Sequence, residues 1–438
     1  MMKESKIESI LDNLVNRGSN IEYLKELKEE TIEITKKDRG LEEILFDISK
    51  EIEEETRKFL ESKNEHQTNY ISGISCGIYL PDFNNNGGYK LKLIGGSRSR
   101  DKEIKIDENT MFDVASITKV YTLILLFKLE ELGIIDLNSK ISDLNLDYKR
   151  LEDFTFNDLI RLHGELRTDG NVANASSYEE ALERLKTLYL VSNTREENKY
   201  TDFGSIVMGK TLEKVISEKL GKQMRFSDIM NEYLLKPLNL SSTSFNPNTD
   251  NLTGNGNELG LVHDPKARIL AGAVGSAGIF TTSEDLMKLA KNLYAVNYVN
   301  NSIINKIHLD RLGEITFPTS RQSNKGNLGI YVKHPEGYDK TYTPPEYSTN
   351  SFSHQGWTGS LATFDPNHLI HQNILVNAVY QNEDKEKVIN NKPAGFGSVF
   401  SEYQKNITRR VMLMYVAKQY LNHYCNDKKD IDEVRFIR

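Results

Sequence analysis

The chain has 438 residues, 38% hydrophobic and 27% charged, with a formal net charge of −7. That length can bury a substantial core in one large or two ordinary domains, and with no block of Lys/Arg interleaved with aromatics a nucleic-acid-binding role has little support. No apolar run approaches the ~18 residues of a membrane span, and the start "MMKESKIESILDNLVNRGSN" lacks the apolar region of a secretory signal. The two cysteines, Cys76 and Cys425, lie far apart, so no disulfide framework is expected and a cytoplasmic location is the expectation.

Residues 1–65 are dense in Glu and Lys with apolar residues at helical spacing, which predicts two or three amphipathic helices. They read as a helical N-terminal extension to a main domain over 66–438, packed on it through ordinary amphipathic faces. The alternative is a dimerisation or partner helix, so self-association through 1–65 stays open. From about residue 70 the texture changes. "NYISGISCGIYLP" and "GYKLKLIGGSR" predict two strands joined by the turn-rich "DFNNNGG". "FDVASITKVYTLILLFKLE", residues 112–130, follows as a buried helix. Residues 126–265 read mostly as helix, including "YEEALERLKTLYLV", "GSIVMGKTLEKVISEKL" and "FSDIMNEYLLKPL". After "AGAVGSAGIFTT", "SEDLMKLAKNLYAV" predicts a further helix with Thr282 and Asp285 in capping-box spacing.

Residues 327–382 return to strand-like pieces, "NLGIYVKH", "GSLATFD" and "NILVNAVYQ". The segment 314–350 is irregular, rich in Pro, Ser, Asn and Tyr, and reads as a lid or binding loop. "ITRRVMLMYVAKQYLNHY" predicts a last helix. Strands, then helices, then strands make an α+β pattern whose sheet is built from both ends.

Two serines compete for attention. "GISCG", residues 73–77, matches the G-x-S-x-G of a nucleophile elbow, where a strand turns sharply into a helix. The residues after Ser75 instead continue a strand into Pro81, so Ser75 is read as a small residue inside a strand. Ser116 and Lys119 form S-x-x-K at the mouth of an apolar helix. Ser is a natural N-cap, and a lysine can snorkel, so a cap is one reading. Lys119 sits badly with it, since a capping box wants Glu or Gln there and a cation in the first turn opposes the helix dipole. The other reading is chemical. Residues i and i+3 share a helical face, burial and the dipole push the lysine pKa down towards a neutral amine, and a helix N-terminus offers N–H groups to an oxyanion. These residues alone leave cap and nucleophile both open.

Two further elements bear on the choice. Tyr200, Thr201 and Asp202 precede a helix, and a tyrosine beside an ammonium can have a lowered pKa and move protons; the alternative is a half-buried core tyrosine. His354, Gln355 and Gly356 lie in "FSHQGWTGSLATFDP", where a glycine lets strand backbone approach a ligand. The alternative for His354 is a surface or core histidine.

In this order the three elements resemble the serine β-lactamase and penicillin-binding-protein superfamily. Ser116-Ile117-Thr118-Lys119 resembles its S-x-x-K box, Tyr200-Thr201-Asp202 its Y-x-N box, and His354-Gln355-Gly356 its K-T-G or H-x-G box. "LLKPLNLSSTSF" and "GLVHDPKARILAGAVGSAGIFTTSEDL" are similar to connecting text of its esterase-like and low-molecular-weight carboxypeptidase-like members, whereas "LIRLHGELR" only loosely resembles "LLTHTSGL". The resemblance covers roughly residues 70–425 and leaves out 1–65. It implies a β-lactamase/transpeptidase-like fold: an antiparallel sheet flanked by helices, an all-helical subdomain at about 126–265, and a cleft between. It also implies an acyl-enzyme on Ser116, acid–base work by Lys119 and Tyr200, an oxyanion hole from the backbone N–H groups of Ser116 and Trp357, and substrate binding by Asp202, His354, Gln355 and Gly356.

Two residues depart from the pattern. Asp202 stands where Asn is usual, accepts hydrogen bonds only, and favours a protonated Lys119. His354 stands where Lys is usual, so the fixed cation that grips a carboxylate is absent or pH-dependent. Both point away from an efficient β-lactamase. The expected function is an acyl hydrolase (esterase or amidase) acting on a small-molecule ester, amide or short peptide. Alternatives are a D,D-carboxypeptidase or D-amino-acid peptidase, a cytoplasmic acyltransferase, and a non-catalytic binding scaffold. The nine histidines include no H-E-x-x-H, and neither metal nor cofactor is expected.

Overall fold

In the computed structural model the described residues are 2–36, 40–61, 71–83, 88–99, 103–144, 147–148, 150–161, 165–191, 200–255, 258–299, 302–316, 324–333, 342–378, 388–389, 392–393, 396–421 and 431–437. Three helices lead: α1 (Met2–Asn16), α2 (Ile21–Lys36) and α3 (Leu41–Glu61). The predicted hairpin follows as β1 (Gly73–Leu80) and β2 (Tyr89–Gly96), paired antiparallel from Gly73 with Gly96 to Leu80 with Tyr89. Ser75 lies inside β1, and no helix opens after it. The helical part runs α4 (Thr118–Glu131), α5 (Phe156–Ile160), α6 (Tyr178–Lys186), α7 (Phe203–Leu220), α8 (Phe226–Met230), α9 (Pro265–Ile269), α10 (Ser283–Tyr294) and α11 (Lys306–Leu312). Short ladders, 166–167 with 189–190, 254–255 with 258–259 and 280–281 with 112–113, interrupt it. "YEEALERLKTLYLV" is thus helix only to Lys186, and "FSDIMNEYLLKPL" passes from α8 into a π-helical turn over Asn231–Leu235.

The sheet is completed by β3 (Asn324–Lys325), β4 (Tyr331–Val332), β5 (Phe352–Gln355), β6 (Leu361–Asp365), β7 (Ile370–Val376), the long helix α12 (Phe396–Leu421) and a last strand, β8 (Ile431–Ile437). Its spatial order is β8-β2-β1-β7-β6-β5-β4-β3. Seven strands meet the expected antiparallel pattern, but β8 runs parallel to β2, Ile431 beside Tyr89 through Ile437 beside Gly95. The reason lies in the connection. β7 and β2 are both antiparallel to β1, so β7 and β8 point the same way, and α12 supplies the crossover that such a pair requires. The 314–350 segment falls partly outside the described residues, as do Cys425 and most of the β1–β2 turn.

Both faces of the sheet are covered. Along β1 the alternate residues Ile74, Cys76, Ile78 and Leu80 join one cluster with Leu91, Leu93, α12 and the first three helices. Ile7, Leu11, Leu14, Leu24, Leu27, Ile44, Leu45, Ile48, Ile52 and Phe59 of those helices are buried there. Phe59 stacks on Tyr403 of α12 at 4.1 Å between centroids, and Thr56 Oγ1 shares a 2.8 Å hydrogen bond with the Tyr403 hydroxyl. The apolar faces of 1–61 are thus spent on this chain, and any self-association through them would use the charged outer faces. The second cluster joins the opposite sheet face to the helical part around α4, where every residue from Thr118 to Phe127 is buried, as is Leu129. An all-round apolar helix is stable only inside a protein, and this burial fixes where its first turn must lie. Among the described residues no helix is long and apolar enough to cross a membrane, and no cluster of His, Cys, Asp and Glu forms a metal site.

Candidate active site

The helix that carries Lys119 begins one residue later than a cap reading of Ser116 requires. Ala115–Ile117 form a 3₁₀ turn, α4 starts at Thr118, and neither Val114 nor Ile117, the residues that precede the two helical turns, makes a side-chain cap bond. The Ser116 hydroxyl therefore caps nothing and faces Lys119 and Tyr200 instead. The turn is held from outside. Ala115 adopts φ 43°, a left-handed conformation that costs a non-glycine residue free energy. Asp113 offsets this by accepting the Ala115 N–H on Oδ1 at 2.8 Å and the His263 N–H on Oδ2 at 2.7 Å. Val114 N–H donates to Ile279 O at 3.1 Å, and Ile279 N–H donates to Thr118 Oγ1 at 3.3 Å. A strained residue persists only where its surroundings over-determine it, and here they aim Ser116. Burial pushes the Asp113 carboxyl up to about 6, against the two N–H groups it accepts.

Lys119 is wholly buried. Its Nζ donates to Ser116 Oγ at 3.2 Å, Tyr200 Oη at 2.5 Å, Asp202 Oδ1 at 2.8 Å and the Ser276 carbonyl at 3.5 Å. Tyr200 Oη in turn donates to Ser116 Oγ at 2.7 Å, so the three polar atoms close a triangle. Tyr200 remains 47% exposed while its hydroxyl reaches the floor of the site. The protonated Lys119 expected from Asp202 holds, whereas the lowering expected of the lysine from burial, and of the tyrosine from its ammonium neighbour, does not. Burial alone lowers the lysine, but the Asp202 carboxylate and Tyr200 outweigh it and hold the ammonium above its ordinary range. The tyrosine is also raised: burial, helped by Asp202, outweighs the lowering from Lys119. The resting site is an ammonium beside a neutral phenol.

Asp202 precedes α7 without capping it. Its second oxygen, Oδ2, lies 3.0 Å from Lys266 Nζ, on α9. Burial would raise this carboxyl, yet the two ammonium groups drive it far below the usual carboxylate range. Lys266 also lies 3.6 Å from Asp264, the N-cap of α9, which accepts the Ala267 N–H at 2.7 Å. The sequence reading missed Asp113 and Lys266. Lys266 lay inside "GLVHDPKARIL", which was read only as connecting text.

His354, the next-to-last residue of β5, is almost fully buried. Its Nδ1 is 2.9 Å from the Gln355 carbonyl, which assigns the proton to Nδ1. Its ring meets those of Tyr200 and Tyr331 edge-on, at 6.1 and 5.8 Å. The next glycine is required by contact: a Cβ on Gly356 would lie 2.4 Å from the Val114 carbonyl oxygen. The end of β5 thus abuts the backbone two residues before Ser116, with Gln355 on one side of Gly356 and the half-exposed Trp357 on the other. A tight turn over 326–330, with Leu328 and Gly329 at positive φ, rests on the Tyr200 ring, where a Gly329 Cβ would stand 3.2 Å from Cδ2. The structure therefore joins Ser116, Lys119, Tyr200 and Asp202 by hydrogen bonds, sets His354 against the Tyr200 ring, and holds Gly356, with its chain neighbours Gln355 and Trp357, against the turn before Ser116.

Comparison with known proteins gives the family. The model of the Beta-lactamase family matches residues 83–392. A Salmonella gallinarum protein provisionally named D-alanyl-D-alanine carboxypeptidase is 27% identical, over 64% of this chain and 72% of that one. A Bacillus subtilis protein named N-acetylmuramyl-L-alanine amidase is also 27% identical, over 64% of this chain and 70% of its own. Among solved structures, EstCE1, described as a hydrolase with promiscuous acyltransferase activity, shares the fold at a TM-score of 0.59 and 15% identity, covering 84% of this chain and 99% of that one. The matched span takes in strands β2 to β7, the helical part and all three motif elements, and on that ground the chain belongs to the Beta-lactamase family of serine hydrolases.

Proposed function

We propose that this protein is a serine acyl hydrolase that cleaves esters or small amides through an acyl-enzyme on Ser116. The observation that carries the proposal is the triangle of Ser116 Oγ, Tyr200 Oη and Lys119 Nζ, with contacts of 2.7, 3.2 and 2.5 Å. A nucleophile with its proton acceptor in reach, itself oriented by a third group, is the arrangement that acyl transfer needs.

The reaction starts from the form that has lost one proton, shared between Tyr200 and Lys119 as a coupled pair. Ser116 Oγ attacks the substrate carbonyl carbon as its proton passes to the Tyr200 oxygen, and the Lys119 ammonium stabilises the phenolate that accepts it. The backbone N–H groups of Ser116 and Trp357 take the developing oxyanion. Tyr200 then gives the proton to the departing alcohol or amine, the C–O or C–N bond breaks, and the acyl group stays on Ser116. Water enters, loses its proton to Tyr200 and attacks the same carbon; Ser116 leaves and recovers the proton.

The charges around Ser116 support the substrate class. His354 offers no permanent cation to a substrate carboxylate. Asp202 has both oxygens engaged by lysines, which leaves it little capacity for a substrate amine. A neutral acyl compound fits better than an anionic β-lactam or peptide C-terminus. A D,D-carboxypeptidase reading draws on the relatives at 27% identity, and a transferase reading on EstCE1.

Labelling with a fluorophosphonate and with a fluorescent penicillin, compared between wild type and Ser116→Ala, tests the proposal. The fluorophosphonate should label wild type alone, and Ser116→Ala should lose nitrophenyl-ester turnover by at least about a thousandfold. Label that persists on the mutant sinks Ser116 as nucleophile. Penicillin labelling without ester turnover moves the assignment to the peptidase.

A further inference from the structure

We infer that Lys266 is a positioning residue for the Ser116–Tyr200–Lys119 machinery, acting at second hand by gripping the outer oxygen of Asp202 so that the carboxylate presents one oxygen, and only part of its charge, to Lys119. The inference rests on the acyl-enzyme reading above and adds to it a group that touches neither nucleophile nor substrate.

The geometry is a chain of alternating charges across three elements. Lys119 Nζ, on α4, meets Asp202 Oδ1 at 2.8 Å; Lys266 Nζ, on α9, meets Asp202 Oδ2 at 3.0 Å; Asp264, at the start of α9, stands 3.6 Å from Lys266. Among the described residues these, with the Ser116 and Tyr200 hydroxyls and the Ser276 carbonyl, are the charged and polar partners that the structure gives to Lys119 and Lys266. Lys266 is partly enclosed, with its side chain 22% exposed. It is also held on a short rigid element, with Pro265 in the first turn of α9 and Asp264 capping it, so its ammonium is aimed rather than free to wander.

The need for such a grip comes from the substitution at 202. An amide there would be neutral. A carboxylate is a full charge against a buried ammonium, and left alone it could turn both oxygens to Lys119. That would lock the lysine in its charged form and draw Nζ away from Ser116 and Tyr200, whose contacts it must keep while one proton leaves the site. Lys266 prevents both by engaging the second oxygen with an opposing charge. The carboxylate then works as a hinge for Lys119 instead of a trap.

The second-order rate of fluorophosphonate labelling at pH 7 tests this in wild type, Lys266→Gln, Lys266→Arg, Asp202→Asn and the double variant Asp202→Asn/Lys266→Gln, with Ser116→Ala as reference. Lys266→Gln should label about tenfold more slowly, the change expected for a one-unit shift in the ionisation it controls. Lys266→Arg should stay within about twofold of wild type, because the cation is restored. In the Asp202→Asn background the Lys266→Gln change should fall below about threefold, since the residue through which it acts is gone. Lys266→Gln labelling at the wild-type rate, failure of Lys266→Arg to recover it, or losses that multiply in the double variant overturn the inference while leaving Ser116 as nucleophile. Wild type that does not label, or Ser116→Ala that does, overturns the acyl-enzyme reading and this inference with it.

Discussion

Lys119 is wholly buried with three polar side chains around its ammonium, and in the proposed mechanism its charge state decides when Ser116 is ready to react. The net direction of its shift depends on Asp202: burial favours the neutral amine, while the carboxylate and the phenol restore the charged form. This sets the sign of a pH effect. Asp202 raises both Lys119 and Tyr200, so a neutral, isosteric Asp202→Asn lowers both. The site then sheds its inhibiting proton sooner, and the ascending limb of the kcat/KM profile for a nitrophenyl ester moves to lower pH by roughly one to two units. An unmoved limb, or one displaced upward, means that Asp202 does not set this ionisation. Asp113 works differently. Its two oxygens join the Ser116 turn to the segment before α9 through the Ala115 and His263 amides, so the nucleophile and the Lys266 helix share one buried anchor.

At the scale of elements, the site exists because α4, α7, α9 and β5 converge, and each arrives for its own packing reason. α4 is apolar on all sides and must run through the interior. β5 is a central strand whose end can meet Val114 only because residue 356 lacks a Cβ. α10 is pinned at Thr282, whose side chain accepts the Asp285 N–H. The predicted capping box is only half formed, since Asp285 turns its carboxylate to the Ser242 N–H and the Thr243 hydroxyl, tying α10 to the loop after "LLKPLNL". On the far face of the sheet, α3 and α12 meet through the Phe59–Tyr403 stack and the Thr56 hydrogen bond. Phe59→Ala should cost about 3–5 kcal/mol of stability, by lost burial and the cavity that remains. Denaturant unfolding measures this directly. A loss under about 1 kcal/mol would mean that the two helices repack freely.

For the whole molecule, the first three helices and the last share one buried cluster with the outer face of the sheet. Ion pairs reinforce the arrangement: Arg409 of α12 meets Glu30 at 2.8 Å, and Arg435 of β8 meets Glu53 at 3.1 Å. These are partly exposed and add little each; the apolar burial dominates. Removal of residues 1–61 should therefore leave a chain that aggregates, or that melts at least about 10 °C below the full chain, although no motif residue is touched. A soluble truncation with an unchanged melting temperature and full labelling would show that the extension is dispensable to the fold.

Some of this was written locally. The three motif elements are short contiguous stretches, and Lys119 stood out because a cation opposes the first turn of a helix. The hairpin of β1 and β2, the buried helix α4 and the strand reading of Ser75 followed from side-chain periodicity, which sequence carries directly. Other features depend on residues that only folding brings together. The proton state of Lys119 sets burial against a carboxylate 83 positions away; the motif named both influences, and only their distances in the fold decide that the carboxylate wins. The Lys266 grip, the Asp113 anchor and the turn of Leu328 and Gly329 against Tyr200 join distant segments that no local pattern links. The parallel edge strand β8 likewise depends on the path α12 takes across the sheet. The sequence by itself determined which residues the proposed chemistry calls on and which segments must be buried, because residue type, motif spacing and apolar period are local properties. The tertiary structure decided their charges, their partners and their aim, because electrostatic and packing energies depend on distance in space and not on distance along the chain.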